Sequence, residues 1–134
     1  MGRLMLAGAM ILGLSAPLAA RPALRDVPVI DDGLYAVGLA DTVRKACPEI
    51  SARFFRALGF LQDLRAEAES RGYTRAEVEA HLNSDAEKNR LRARAAQQMN
   101  ELGFAQDTAG YCAMGRHEIA SGSAAGRLLR EVGQ

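Results

Sequence analysis

The sequence has no tryptophan, only four phenylalanines and three tyrosines, and just two cysteines and two histidines. Valine and isoleucine are sparse and scattered, so nothing in the composition favours a sheet. There is no CxxC pair for thiol exchange and no glycine-rich loop of the kind that cradles a phosphate. Neither sign of charge dominates. With Arg3 set aside as part of a leader, basic and acidic residues balance at 16 each. Such a balance leaves no electrostatic footprint for nucleic acid or for a membrane surface as a partner.

What the chain does have is alanine, leucine, arginine and glutamate, the strong helix formers. Apolar residues make up 49% of its 134 positions, enough for the core of one domain and too many for wholesale disorder. The first 20 residues are read apart from the fold. Met1-Gly2-Arg3 gives a positive start, Leu4 to Leu14 is apolar or small, and Ser15 to Ala20 supplies a break and small residues before a cut after Ala20. Leu18 departs from the small residue usual there. The apolar run is shorter than the ~20 residues of a membrane span, so cleavage is expected, with an uncleaved anchor as the alternative. No cysteine follows the run, which excludes a lipoprotein anchor. The mature chain, 21–134, is therefore expected to be exported and to carry no membrane span.

In an oxidising compartment Cys47 and Cys112 read as a disulfide, two buried free thiols being the alternative. The bridge closes a loop of about 65 residues, for which chain entropy gives roughly 4 kcal/mol as an upper figure.

Periodicity predicts an all-α, compact bundle of five or six helices. Pro22 and Pro28 make 21–29 an extended lead-in. A first helix is expected from about Asp31-Asp32 to Pro48, with Ile30, Leu34, Val37, Ala40, Val43 and Cys47 on one face. A second runs from Glu49 or Ser51 to Ser70 before Gly72; its stripe of Ile50, Phe54, Leu58, Leu61, Leu64 and Ala68, widened by Phe55, makes it the expected centre of the core. Thr74 with Glu77, and Ser84 with Glu87, are capping boxes that open helices over 75–82 and 85–102. Tyr73 and Val78 add a hydrophobic staple to the first. The helix over 85–102 has a thin stripe, Leu91, Ala95, Met99 and Leu102. Asp107 caps a further helix on which Cys112, Gly115 and Ile119 allow a close crossing, and Ala124 to Val132 is expected to form the last.

Few constellations carry chemistry. His117-Glu118 lacks the second histidine of a zinc HExxH site, because position 121 is serine. His81 lies on another helix, so an enzyme would need a composite site of His81 or His117 with Glu118. The spacing of Gly122 to Gly126 is wrong for a GxSxG nucleophile elbow and suits a helix cap around Ser123. Asp31 and Asp32 point about 100° apart on a helix and suit its positive end. Lys88, Arg90, Arg92 and Arg94 are interleaved with Asp85, Glu87 and Glu101 and lack aromatic neighbours, which is the pattern of a solvated face. No catalytic residue, cofactor or metal ligand is therefore expected. Arg53, Arg56, Arg116 and Glu118 are left as a candidate partner surface, since the bridge draws their helices together and arginine is frequent at interfaces.

Longer segments carry a resemblance: Leu24-Arg25-Asp26-Val27-Pro28, Ile30-Asp31-Asp32-Gly33-Leu34, Ile50-Ser51-Ala52-Arg53 and Arg56-Ala57-Leu58-Gly59-Phe60-Leu61. Ala86-Glu87-Lys88 and the run Cys112, Gly115-Arg116, Glu118-Ile119, Gly122-Ser123 and Gly126 belong with them. Together they resemble a family of small, uncharacterised exported alphaproteobacterial proteins defined as a domain of unknown function. The resemblance implies a periplasmic setting and brings no catalytic residue, cofactor or substrate. The expected function is that of an accessory or interaction protein with an envelope protein partner. The competing expectations are a small-ligand binder with a pocket of Phe54, Phe55, Leu58 and Met99, and the composite-site enzyme.

Overall fold

A computed structural model describes residues 20–133. The leader expected over 1–20 lies outside them except for Ala20. The central element is α1, Pro28–Ala46, which packs against most of the other helices. It starts one turn earlier than the sequence predicts. Pro28 sits in the first turn, where a missing N–H leaves no bond unmade and the fixed φ is already helical. The lead-in is likewise not extended throughout, since Leu24–Asp26 forms a single 3-10 turn.

The other helices are α2 Phe54–Ser70, α3 Arg75–Asn83, α4 Asp85–Glu101, α5 Thr108–Ser121 and α6 Ala124–Arg127. The expected bundle of five or six helices is thus present, with six among the described residues. Two short strands were not expected. β1, Ile50–Ala52, pairs antiparallel with β2, Leu129–Glu131, in the register Ile50 to Glu131, Ser51 to Arg130 and Ala52 to Leu129. Flanking bonds from Arg53 N to Leu128 O and from Val132 N to Glu49 O, both 2.8 Å, lengthen the ribbon. The ribbon replaces the expected first turn of α2 and the expected end of the last helix. Leu128 and Leu129 are buried as anchors, but on a backbone that leaves the helix at Arg127. Apolar spacing over so few residues does not separate the two periods.

The expected centre of the core also moves. α2 buries only Leu64 and Ala68, while Phe54 and Phe55 are 66% and 85% exposed. A helical stripe is buried only where a neighbour covers it, and α2 packs mainly on α1 and α3. The main core instead gathers Leu39, Val43, Met99, Met114 and Leu129 around the bridge. A second cluster joins Leu24, Val27 and Ile30 to Ala68, Tyr73 and Val78.

Cys47, at the end of α1, is bonded to Cys112 of α5, with Cα atoms 5.1 Å apart. One turn on, a Cβ at Gly115 would stand 2.4 Å from Ile50 Cδ1 and 2.6 Å from Val43 Cγ1, so this crossing needs glycine. Thr74 and Glu77 form a complete capping box. Ser84 accepts from the Glu87 N–H, but the Glu87 carboxylate is used elsewhere.

Candidate functional site

Two regions concentrate polar and aromatic side chains. The first is the seam where α4 docks on α1. Asp31, buried in the first turn of α1, accepts from Arg90 (Nη1 to Oδ2, 3.3 Å) and Arg94 (Nη1 to Oδ2, 3.4 Å). Arg94 also reaches Asp32 at 2.7 Å, and Arg90 reaches the buried Glu87 at 2.9 Å; Arg25 bonds the other oxygen of that carboxylate. Arg94 stacks 4.1 Å above the Tyr35 ring. The Tyr35 hydroxyl donates to Gln98, whose Nε2 donates to Glu118 at 2.9 Å, and Ser123 Oγ donates to the other Glu118 oxygen.

The basic run on α4 is therefore divided. Lys88 and Arg92 face solvent, and Arg90 and Arg94 turn inward to carboxylates. Asp31 and Asp32 do more than sit at a helix start: they hold α4. The hydrogen bond to Asp31, opposed by burial and aided by Glu87, raises the pKa of the Arg90 guanidinium further. Burial likewise lifts the Tyr35 phenol above its usual range, against the pull of Arg94 and with a smaller push from Glu118. Each charge in the seam already has its partner, so the network holds the helices in place and leaves no activated nucleophile.

The second region is the opposite in kind. Phe54 and Phe55 meet edge to face at 5.5 Å on the first turn of α2, and Leu58, 42% exposed, follows them. Arg53 Nε donates to Leu129 O at 3.0 Å, Arg56 to Arg127 O at 3.3 Å, Arg127 to Gly122 O at 2.8 Å and Arg130 to Ser51 Oγ at 3.2 Å. All four acceptors are neutral, and among the described residues none of these four arginines is ion-paired. The first turn of α2 has no acidic residue, so the positive end of its dipole adds to the same field. Beside Phe54 lies a cleft of about 510 Å³ floored by Val37, Ala40, Ala52, Ala57 and Leu128.

The four residues expected as a partner surface divide between the regions. Arg53 and Arg56 belong to the exposed face. Arg116 lies at its edge, paired with Glu49 and, at 3.3 Å, with Glu131. Glu118 is buried and points into the seam, because the Gln98 and Ser123 donors lie inward. The imagined pocket of Phe54, Phe55, Leu58 and Met99 does not form: Met99 is fully buried in the core and the other three are exposed. The sequence held the signal for this in Phe54-Phe55 itself, since neighbours about 100° apart cannot both share a narrow stripe.

The histidines have separate surroundings. His117 of α5 is exposed, its ring 6.2 Å from Phe104, and His81 of α3 lies beside Leu24 and Leu82. Among the described residues no three His, Cys, Asp or Glu side chains gather as a metal would require, and no helix is long and apolar enough to cross a membrane.

These features define a small all-α domain closed by one disulfide, with an arginine and aromatic face at one end. The chain belongs to the family of unknown function DUF5333, whose model matches residues 22–130 and so takes in both cysteines and every arginine and phenylalanine of that face. No curated protein and no solved structure matches it.

Proposed function

We propose that the protein is an exported, non-catalytic accessory protein that holds an acidic, apolar segment of an envelope protein against the start of α2. The observation that carries this reading is the pair Phe54 and Phe55, exposed between Arg53 and Arg56, which have no carboxylate partner among the described residues. Phenylalanine and arginine at the centre of an interface supply much of its energy, the rings by desolvation and the guanidinium by two-point bonding to carboxylate. The cleft beside Phe54 gives an incoming apolar side chain a place to bury. The leader read over 1–20, the disulfide and the resemblance support an exported, periplasmic location.

The test is a photo-crosslinking side chain placed at Leu58, at the edge of the face, in protein expressed at native level, with the joined peptides sequenced. One dominant envelope protein joined through an acidic stretch, and lost in the double variant R53E/R56E, is the expected result. Capture that ignores the charge reversal overturns the reading. So does sedimentation of the protein with vesicles of anionic phospholipid, which would make the face a membrane contact. Small-ligand binding stands as a second reading, favoured by a groove between α1 and α4.

A further inference from the structure

The groove between α1 and α4 is built from aliphatic side chains that the core leaves half-exposed. Leu34 and Val37 of α1, Leu61 of α2, Leu82 of α3 and Leu91 of α4 line it, and it encloses about 450 Å³. That volume falls within the ~300–1,000 Å³ of small-molecule sites. Gly38 opens the α1 wall, since a Cβ built there meets nothing within 4 Å. The carboxylates at the rim are already satisfied: Asp41 by Lys45 at 2.5 Å and by Arg44, and Glu87 by Arg25 and Arg90. The cations beside them are not. The Lys88 side chain makes no hydrogen bond or ion pair among the described residues, and the Arg92 side chain bonds only the neutral Asn89, at 2.9 Å. At the α3 end His81 borders the groove, and its Nε2 is buried without a hydrogen-bond partner.

We infer that this groove binds a single-chain amphipathic anion, a fatty carboxylate, with the alkyl chain on the aliphatic floor and the head group held by Lys88 and Arg92. A peptide fits the site less well. Its backbone would need hydrogen-bond partners, and walls made of helices have already spent theirs. A neutral lipid leaves the two cations without a counter-ion, and a cationic one meets them directly. The groove takes in none of Arg53 to Leu58, although its wall residue Val37 also floors the cleft beside Phe54. The variants that test the two sites change different side chains, so either reading can fail in experiment without the other.

Calorimetric titration of the disulfide-bonded, delipidated protein with laurate below its micellar concentration tests the inference. Dodecanol and dodecyltrimethylammonium serve as the neutral and cationic arms. Laurate is expected to bind roughly tenfold tighter than dodecanol, the equivalent of one charge-assisted hydrogen bond, and the cationic amphiphile more weakly than either. K88E/R92E changes only exposed side chains, so the fold is retained, and it should remove the preference for laurate while leaving dodecanol binding intact. G38L, which puts a side chain where there is open space, should weaken laurate and dodecanol together. Equal affinity for laurate and dodecanol, an unchanged preference in K88E/R92E, or no binding by folded protein overturns the inference.

Discussion

The seam between α1 and α4 and the face at the start of α2 are both rich in arginine, and they use it in opposite ways. In the seam Arg25, Arg90 and Arg94 each meet a carboxylate from Asp31, Asp32 or Glu87. At the face Arg53, Arg56, Arg127 and Arg130 bond only to carbonyl or hydroxyl oxygens, and the aromatics between them stay in water. The same side chain therefore serves two ends. Paired and half-buried, it fixes how a helix sits, which matters for α4 because its apolar stripe is thin. Unpaired beside exposed rings, it keeps its charge for something outside the chain. The difference lies in the supply of acid: α1 and α4 carry acidic residues in their first turns, and α2 carries none.

The comparison is broken most severely at the bridge. Replacing Cys47 and Cys112 together by alanine should cost up to about 4 kcal/mol, since the closed loop spans 65 residues. Chemical denaturation should show one transition moved to lower denaturant. Two transitions would mean that seam and face are held independently. Asp31→Ala comes next. Removing one partner of a fully buried pair costs about 3–5 kcal/mol, but the Arg90 and Arg94 side chains are 33% and 40% exposed and water compensates them in part. A loss of roughly 2 kcal/mol is expected, with crosslinking at the α2 face unchanged. The reverse holds for F54S/F55S: stability within about 0.5 kcal/mol of the parent and capture of the partner abolished. A large loss of stability in F54S/F55S would show the face to be part of the fold and dissolve the contrast.

How much of this was legible in the sequence follows the range of the interactions involved. Caps are local, so Thr74 with Glu77, Asp107 and Ser123 announce helix starts within a residue or so, and all three cap as read. The bridge was legible because, with the leader read as an export signal, two cysteines have one obvious partner each. The ribbon was not, because Ile50–Ala52 becomes a strand only when Leu129–Glu131, nearly 80 residues on, is brought beside it. The seam was hidden for the same reason. Arg90 and Arg94 show no sign of Asp31 in their own neighbourhood, and the interleaved Asp85, Glu87 and Glu101, with no aromatic neighbour in sequence, made the run look solvated. The face was half legible: Arg53 and Arg56 were singled out, while the phenylalanines between them were assigned to the core they do not reach.

The smallest effect lies in the alkaline titration of the seam. Burial raises the Tyr35 phenol above the ~10 of an unperturbed tyrosine, Arg94 pulls it back, and Glu118 adds to the rise. In the unfolded chain the same phenol ionises near pH 10. As pH climbs past that value the unfolded state loses its proton first, so the folded state binds more protons and stability falls. The decline should begin near pH 10 and continue through the higher folded pKa, and below it the contribution is intact. Ultraviolet titration of the native protein should therefore show a phenolate that forms late, and that late component should vanish in Tyr35→Phe. Stability measured across the same window should fall less steeply in Y35F. A late component that survives the substitution would assign the shift to another tyrosine and remove Tyr35 from the buried side of the comparison.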